Sequence, residues 1–275
     1  MNKSYTLGLY EKSMPHNLSL TEKLAHTKEY GFDFLEVSID ETDEKLSRLN
    51  WSKDERKDVI NAINELSVPI GSMCLSGHRK YPLGSLNESI RQQSLDIMEK
   101  AINLACCWGI RVIQLAGYDV YYEEGNEKTA DFFLENLAKS TDMAAKYGVT
   151  LAFETMETPF MDTVAKAMFY VEKISSPWLQ VYPDLGNLTN AAKIYGHEVS
   201  EDLSSGRGHI AALHLKETVP GKYRDVPFGT GHVNFKEGLE TVKSLGVNRF
   251  VAEFWDNGSY RSQIEHAHQF LSKFL

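Results

Sequence analysis

Apolar residues along this chain fall into two kinds of run that alternate from one end to the other. Some are short, nearly continuous blocks, and others are longer stretches with apolar residues every three or four positions. The short blocks predict strands at Thr6 to Tyr10, Phe34 to Ile39, Pro69 to Leu75, Arg111 to Ala116, Thr150 to Thr155, Gln180 to Pro183, Ile210 to Lys216 and Phe250 to Phe254. The longer stretches predict helices at Leu20 to Tyr30, Trp51 to Leu66, Leu86 to Trp108, Asn126 to Tyr147, Asp162 to Ile174, Leu188 to Tyr195, Phe235 to Leu245 and Ser259 to Phe274. Gly31, Gly109, Gly148 and Gly246 stand where a helix closes, and Asn50 and Asp162 where one opens. Strands each followed by a helix, in about the 250 residues typical of the fold, predict a single-domain (β/α)8 TIM barrel over residues 1–275. A doubly wound open sheet is the alternative. It gains little support, because GLYEKSMP after the first strand lacks the glycine-rich phosphate fingerprint of a dinucleotide fold. No repeat, low-complexity segment or linker divides the chain.

Composition narrows the class of partner. A hydrophobic content of 42% is enough for a sizeable core, and a formal net charge of -9 argues against nucleic acid or an anionic membrane surface. The amino-terminal MNKSYTLGLY has no long apolar region, and no stretch approaches the roughly 20 apolar residues that span a bilayer, so a cytoplasmic location is expected. Cys74, Cys106 and Cys107 lack metal-site spacing; the adjacent pair is expected to be buried thiols in a helix.

In a barrel the carboxyl ends of the strands converge on one face, where polar residues are candidates for chemistry. Strand two is expected to end near Glu36, strand three at His78 and Arg79, strand four at Gln114, strand five at Glu154, strand six at Asp184, strand seven at His214 and Lys216, and strand eight at Glu253. Glu154, Asp184, His214 and Glu253 come from four successive strands. Three carboxylates converging with an imidazole would repel one another unless a divalent cation lay between them. Oxygen and nitrogen ligands together suit Mn, Zn, Co or Fe. The plainer alternative for any one of them is a loop carboxylate, and Asp184 before LGNL has the position of a helix cap.

At these residues the sequence resembles the xylose-isomerase-like barrels, and within them the ketose 3-epimerases. The blocks LGLYEKSMP, DFLEVSIDETDEKLSRLNW, SMCLSGHRKYPLGS, IRVIQLAGYDVYYE, VYPDLGNL and VPFGTGHVNF are similar to the L-ribulose-5-phosphate (L-xylulose-5-phosphate) 3-epimerases of L-ascorbate and related pentose catabolism. The chain departs from that pattern at Glu157 and Glu217, where the family carries aspartate, and in a short segment between Thr218 and Val226.

The resemblance implies an isomerase that binds one divalent metal ion through Glu154, Asp184, His214 and Glu253. It also implies a sugar phosphate inverted at C3, a carbon made acidic by the adjacent carbonyl. Inversion needs one base on each face, and Glu154 and Glu253 are the candidates, with Asp184 and His214 as ligands. A salt bridge of Glu253 with Arg249 or Lys216 is the structural alternative. For the phosphate the candidates are His78, Arg79, Lys216, Arg224 and the glycines Gly229 and Gly231 of FGTG. His232 reads as a cap for the helix opening near Asn234, with orientation of substrate as the alternative. Tyr10, Tyr118, Phe228 and Trp255 are expected near the mouth, with Trp255 the pocket candidate. Competing functions on this scaffold are aldose–ketose or hexulose-phosphate isomerisation, a non-catalytic sugar-binding barrel, and an abasic-site endonuclease; the last is disfavoured by the negative charge and scattered histidines. Related barrels often dimerise, which leaves a homodimer open without marking a patch.

Overall fold

The computed structural model describes residues 3–275. Strands β1 (Thr6–Tyr10), β2 (Phe34–Ile39), β3 (Ile70–Leu75), β4 (Val112–Ala116), β5 (Thr150–Glu154), β6 (Leu179–Val181), β7 (Leu213–Leu215) and β8 (Arg249–Ala252) pair in parallel in the order β6-β5-β4-β3-β2-β1-β8-β7. The two ends of that order meet. Val181 N–H donates to His209 O at 2.8 Å, Ala211 N–H to Val181 O at 2.9 Å, and His214 N–H to Pro183 O at 2.9 Å. The sheet is thereby closed into the expected barrel, and a parallel bridge pairs Asp184 with His214 on the closing seam.

Helices α1 (Leu20–Glu29), α2 (Asp43–Ser47), α3 (Lys53–Leu66), α4 (Glu88–Trp108), α5 (Glu127–Tyr147), α6 (Val164–Ile174), α7 (Leu185–Tyr195), α8 (Val199–Ser205), α9 (Phe235–Ser244) and α10 (Tyr260–Leu271) accompany the strands. Every residue of β2 is buried because both faces of the sheet are covered, which is why the strands read as nearly continuous apolar runs. Successive side chains still alternate: Leu213 and Leu215 join the main apolar core, whereas His214 between them turns to the lumen beside Tyr10 and Tyr182. The lumen is plugged by Phe34. A Cβ at Gly8 or Gly71 would stand 2.3 Å from its ring, so only glycine admits the phenyl group there. Arg249 lies over that ring and donates to Gly71 O.

Several details differ from the pattern in the sequence. The short helices α2 and α8 were not expected, since five and seven residues are too few for a helical period to register. Helix α3 opens on a capping box at Ser52 and Glu55 and not at Asn50. Thr163 caps α6, while Asp162 accepts from Lys166 Nζ at 2.6 Å and from the Tyr195 hydroxyl at 2.7 Å. Glu36 lies in the middle of β2, not at its end. Cys106 is half-buried and Cys107 is exposed, correcting the expectation of two buried thiols in α4. Among the described residues no helix is long and apolar enough to cross a membrane.

Candidate active site

Glu154 ends β5, Asp184 follows β6 and opens α7, His214 is central in β7, and Glu253 follows β8 with its N–H bonded to Leu215 O at 2.9 Å. All four are buried. One ligand atom from each lies within 4.8 Å of every other, as a shared cation requires.

The cap reading of Asp184 holds for one oxygen, and the other oxygen stays free for the cluster. Its Oδ1 accepts from Asn187 N–H at 2.6 Å and caps α7, while Oδ2 turns to the cluster. His214 is divided in the same way. Its Nε2 lies 2.6 Å from Glu36 Oε1, whereas Nδ1 lies 3.4 Å from both Glu154 Oε1 and Glu253 Oε2. Lys216 reaches the cluster from the carboxyl end of β7. Its Nζ stands 3.1 Å from Asp184 Oδ2 and 3.3 Å from Glu253 Oε2, which realises the salt bridge considered for Glu253.

The electrostatics are those of a crowded anionic site. Burial pushes the Asp184 carboxyl up, helped by Glu253 and Glu154 against the Lys216 ammonium. For Glu253, burial acts upward too, but Lys216 and His214 hold it well below the usual carboxylate range. Burial alone would lower His214 and Lys216, yet the surrounding carboxylates raise both. Asp184 Oδ2 and Glu253 Oε2 are buried with no hydrogen-bond partner among the described residues, since Lys216 is in ion-pair range but misaligned. Orphaned carboxylate oxygens that face one another and an imidazole nitrogen fit a divalent cation of the Mn, Zn, Co or Fe class.

Above the cluster a narrow crevice opens towards solvent. Its wall includes Tyr10, Lys12, Arg79, Glu157, Tyr223, Arg224 and Trp255, with Glu154, Lys216 and Glu253 also on its surface. Arg79 lies over the rings of Tyr118 and Tyr121, and the Tyr118 hydroxyl donates to Glu157 at 2.7 Å. Arg224 stacks on Trp255, 5.0 Å from the ring centroid.

The family model for xylose isomerase-like TIM barrels matches residues 24–274. The L-ribulose-5-phosphate 3-epimerase UlaE of Escherichia coli K12 is 47% identical over 256 residues, which cover 93% of this chain and 89% of that protein. The enzymes of the same name from Shigella boydii and Salmonella heidelberg are 47% and 46% identical over the same shares. The chain belongs to the L-ribulose-5-phosphate 3-epimerase family of xylose isomerase-like TIM barrels. The D-allulose 3-epimerase of Methylomonas sp. in complex with D-allulose shares the fold, with a TM-score of 0.81 at 14% identity over 99% of this chain and 98% of that one. An L-ribulose 3-epimerase shares it with a TM-score of 0.79 at 18% identity, over 98% and 94%.

The structure thus brings Arg79, Lys216, Arg224 and Trp255 of this family member to the crevice, and three other candidates elsewhere. His78 is buried in the turn after β3 with Nε2 donating to Ser94 O at 3.1 Å, and burial lowers its pKa to about 4, so it faces α4 and not an anion. Gly229 N–H donates to the buried Glu217 carboxylate at 3.0 Å, beside the amides of Thr218 and Val233. Gly231 leaves room for that carboxylate, because a Cβ there would stand 2.1 Å from Thr218 O and 2.3 Å from Glu217 Oε1. The FGTG glycines therefore fold a loop around Glu217. His232 bonds the Thr218 hydroxyl at 3.0 Å, and Asn234 caps α9 in its place. Phe228 packs on Phe235, Phe254 and Phe270. Sequence reasoning missed Lys12, two residues beyond Tyr10 at the end of β1; its signal was a basic side chain in a strand-end loop. It also missed the part played by Glu36, a carboxylate inside an apolar strand.

Proposed function

We propose that this protein, as one catalytic domain over residues 1–275, is a metal-dependent epimerase that interconverts L-ribulose 5-phosphate and L-xylulose 5-phosphate at C3. The observation that carries the reading is the buried convergence of Glu154, Asp184, His214 and Glu253 beneath a crevice with basic walls. Similarity to the UlaE enzymes supports the choice of substrate. The four residues would hold one divalent cation, which when bound supplies Lewis-acid polarisation of the substrate carbonyl and offsets the crowded carboxylates.

The chain's own groups do the rest. His214 Nδ1 lies 3.4 Å from a carboxylate oxygen of both Glu154 and Glu253, so both glutamates border the volume in which the enediolate would form. One glutamate takes the C3 proton and the other returns a proton to the opposite face. Lys216, buried against Asp184 and Glu253, is placed to donate to a substrate oxygen near the reacting carbons. Arg79 and Arg224, with Lys12, are the groups for the phosphate, while Trp255 and Tyr10 exclude water from the reacting end.

The test is incubation of purified, metal-supplemented protein with L-ribulose 5-phosphate in deuterium oxide. Formation of L-xylulose 5-phosphate carrying deuterium at C3 is expected. Formation of an aldose phosphate alone, or product without solvent deuterium, overturns the proposal.

A further inference from the structure

We infer that Glu36 is a positioning residue that sets which nitrogen of His214 faces the cation; this rests on the metal-site reading of the preceding subsection. Glu36 sits in the middle of β2, fully buried, in a strand that is otherwise apolar apart from Ser38. A carboxylate in that place is costly unless its oxygens are matched. They are: Oε1 lies 2.6 Å from His214 Nε2, and Oε2 accepts from the Ser72 hydroxyl at 2.6 Å and from the Tyr182 hydroxyl at 3.0 Å. Two hydroxyl donors hold the carboxylate, and the carboxylate holds the imidazole.

The consequence reaches the ligand cluster through the ring. With Nε2–H committed to Glu36, Nδ1 is the nitrogen left to present a lone pair, and it lies 3.4 Å from Glu154 Oε1 and Glu253 Oε2. The Tyr182 ring packs edge-on to the imidazole at 4.9 Å and confines its plane. The nearest other polar contact to Nδ1 is the Gln114 amide at 3.5 Å, too long to hold the ring by itself. Without Glu36 the ring is free to take the other tautomer, with a proton on Nδ1 where a ligand is needed. Carboxylates that accept from a metal-bound histidine typically change metal affinity about 10–100-fold when removed.

The experiment measures Mn2+ binding to the metal-depleted full-length protein, by calorimetry and by the free-ion electron paramagnetic resonance signal, for wild type, Glu36→Gln and Tyr182→Phe. Glu36→Gln keeps the shape and removes the charge; Tyr182→Phe keeps the ring and removes one support of Glu36. The expected result is a Mn2+ affinity about 10–100-fold weaker for Glu36→Gln, a smaller loss for Tyr182→Phe, and recovery of most of the turnover at saturating Mn2+. Glu36→Gln that folds and binds Mn2+ within twofold of wild type overturns the inference. If Glu36→Gln does not fold, unchanged Mn2+ affinity in Tyr182→Phe overturns it instead. Wild-type protein that binds no Mn2+, Zn2+ or Co2+ removes the metal-site reading itself, and this inference with it. An active, metal-binding wild type with unaffected variants removes the inference alone.

Discussion

At the scale of single residues, the site assigns two oxygens or two nitrogens of one side chain to different tasks. Asp184 caps α7 with one oxygen and faces the cluster with the other; His214 faces Glu36 with one nitrogen and the glutamates with the other. The two glutamates are expected to be equally indispensable. Glu154→Gln and Glu253→Gln should each lower kcat by about 10²–10⁴-fold, measured as epimer formation with the metal content of each variant determined alongside. Wild-type turnover in either variant would exclude it as a base. His78 makes a separate prediction about pH. Its folded pKa is lowered from 6.5 to about 4 by burial, so between these values the unfolded chain binds a proton that the folded chain does not. The stability linked to His78 is therefore present above pH 6.5 and lost as pH falls towards 4, by about 3 kcal/mol in total. In urea denaturation, the stability advantage of wild type over His78→Gln should shrink by that amount across the window. A pH-independent difference would show that the imidazole is not held neutral.

At the scale of elements, the crevice depends on loops fixed by buried charges outside the four-residue cluster. Glu11, just after β1, is completely buried and accepts from Lys23 of α1 at 3.0 Å, from Arg48 at 2.7 and 2.8 Å, from Lys45 of α2 and from Ser38 N–H at 2.8 Å. These cations hold the Glu11 carboxyl far below its usual range against the cost of burial. Glu11→Gln leaves three buried cations short of an anion, and a loss of about 3–5 kcal/mol is expected in denaturant unfolding. An effect below 1 kcal/mol would mean that solvent reaches the group. Two strands along, beyond β8, the loop after β7 wraps Glu217, which accepts from three backbone amides. Gly231→Ala places a methyl group against Thr218 O and Glu217, so this loop must move and carry Arg224 with it. A raised KM for the phosphorylated sugar, with a stability loss of about 1–3 kcal/mol, is the expected outcome. Unchanged KM would separate the loop from substrate binding.

At the scale of the whole molecule, the proposed cation would join β5, β6, β7 and β8 across the seam that closes the barrel, so its removal should be felt in folding as well as in activity. Treatment with a chelator is expected to abolish turnover and to lower the thermal midpoint, with both restored by added divalent metal. At 100 times Kd the bound metal contributes about 2.7 kcal/mol, or roughly 5–10 °C for a domain of this size. A midpoint indifferent to chelation would argue against a cation at the seam. Much of this architecture was legible in the chain itself. The alternation of apolar blocks and helical periods marked every strand to within a few residues, because strands covered on both faces are mostly apolar and carry few polar positions to obscure them. Glu154, Asp184, His214 and Glu253 were visible for the same reason: each interrupts or ends such a block with a group that water would otherwise claim. Local sequence could not show where side chains point once the chain turns. His78 and Arg79 are neighbours after β3, yet one is buried against α4 and the other lines the crevice. The glycines of FGTG have the composition of a phosphate loop, but the amide of Gly229 is satisfied by Glu217 from twelve residues earlier. Glu36 gave a signal, an acid inside an apolar strand, whose meaning lay 178 residues away at His214. The barrel and its four converging polar residues were already written in the chain, since they follow from periodicity and from the cost of burying charge. Which atom of each residue faces the cluster, and which basic groups reach the crevice, emerged in the folded molecule, because those choices are made by partners distant in the chain.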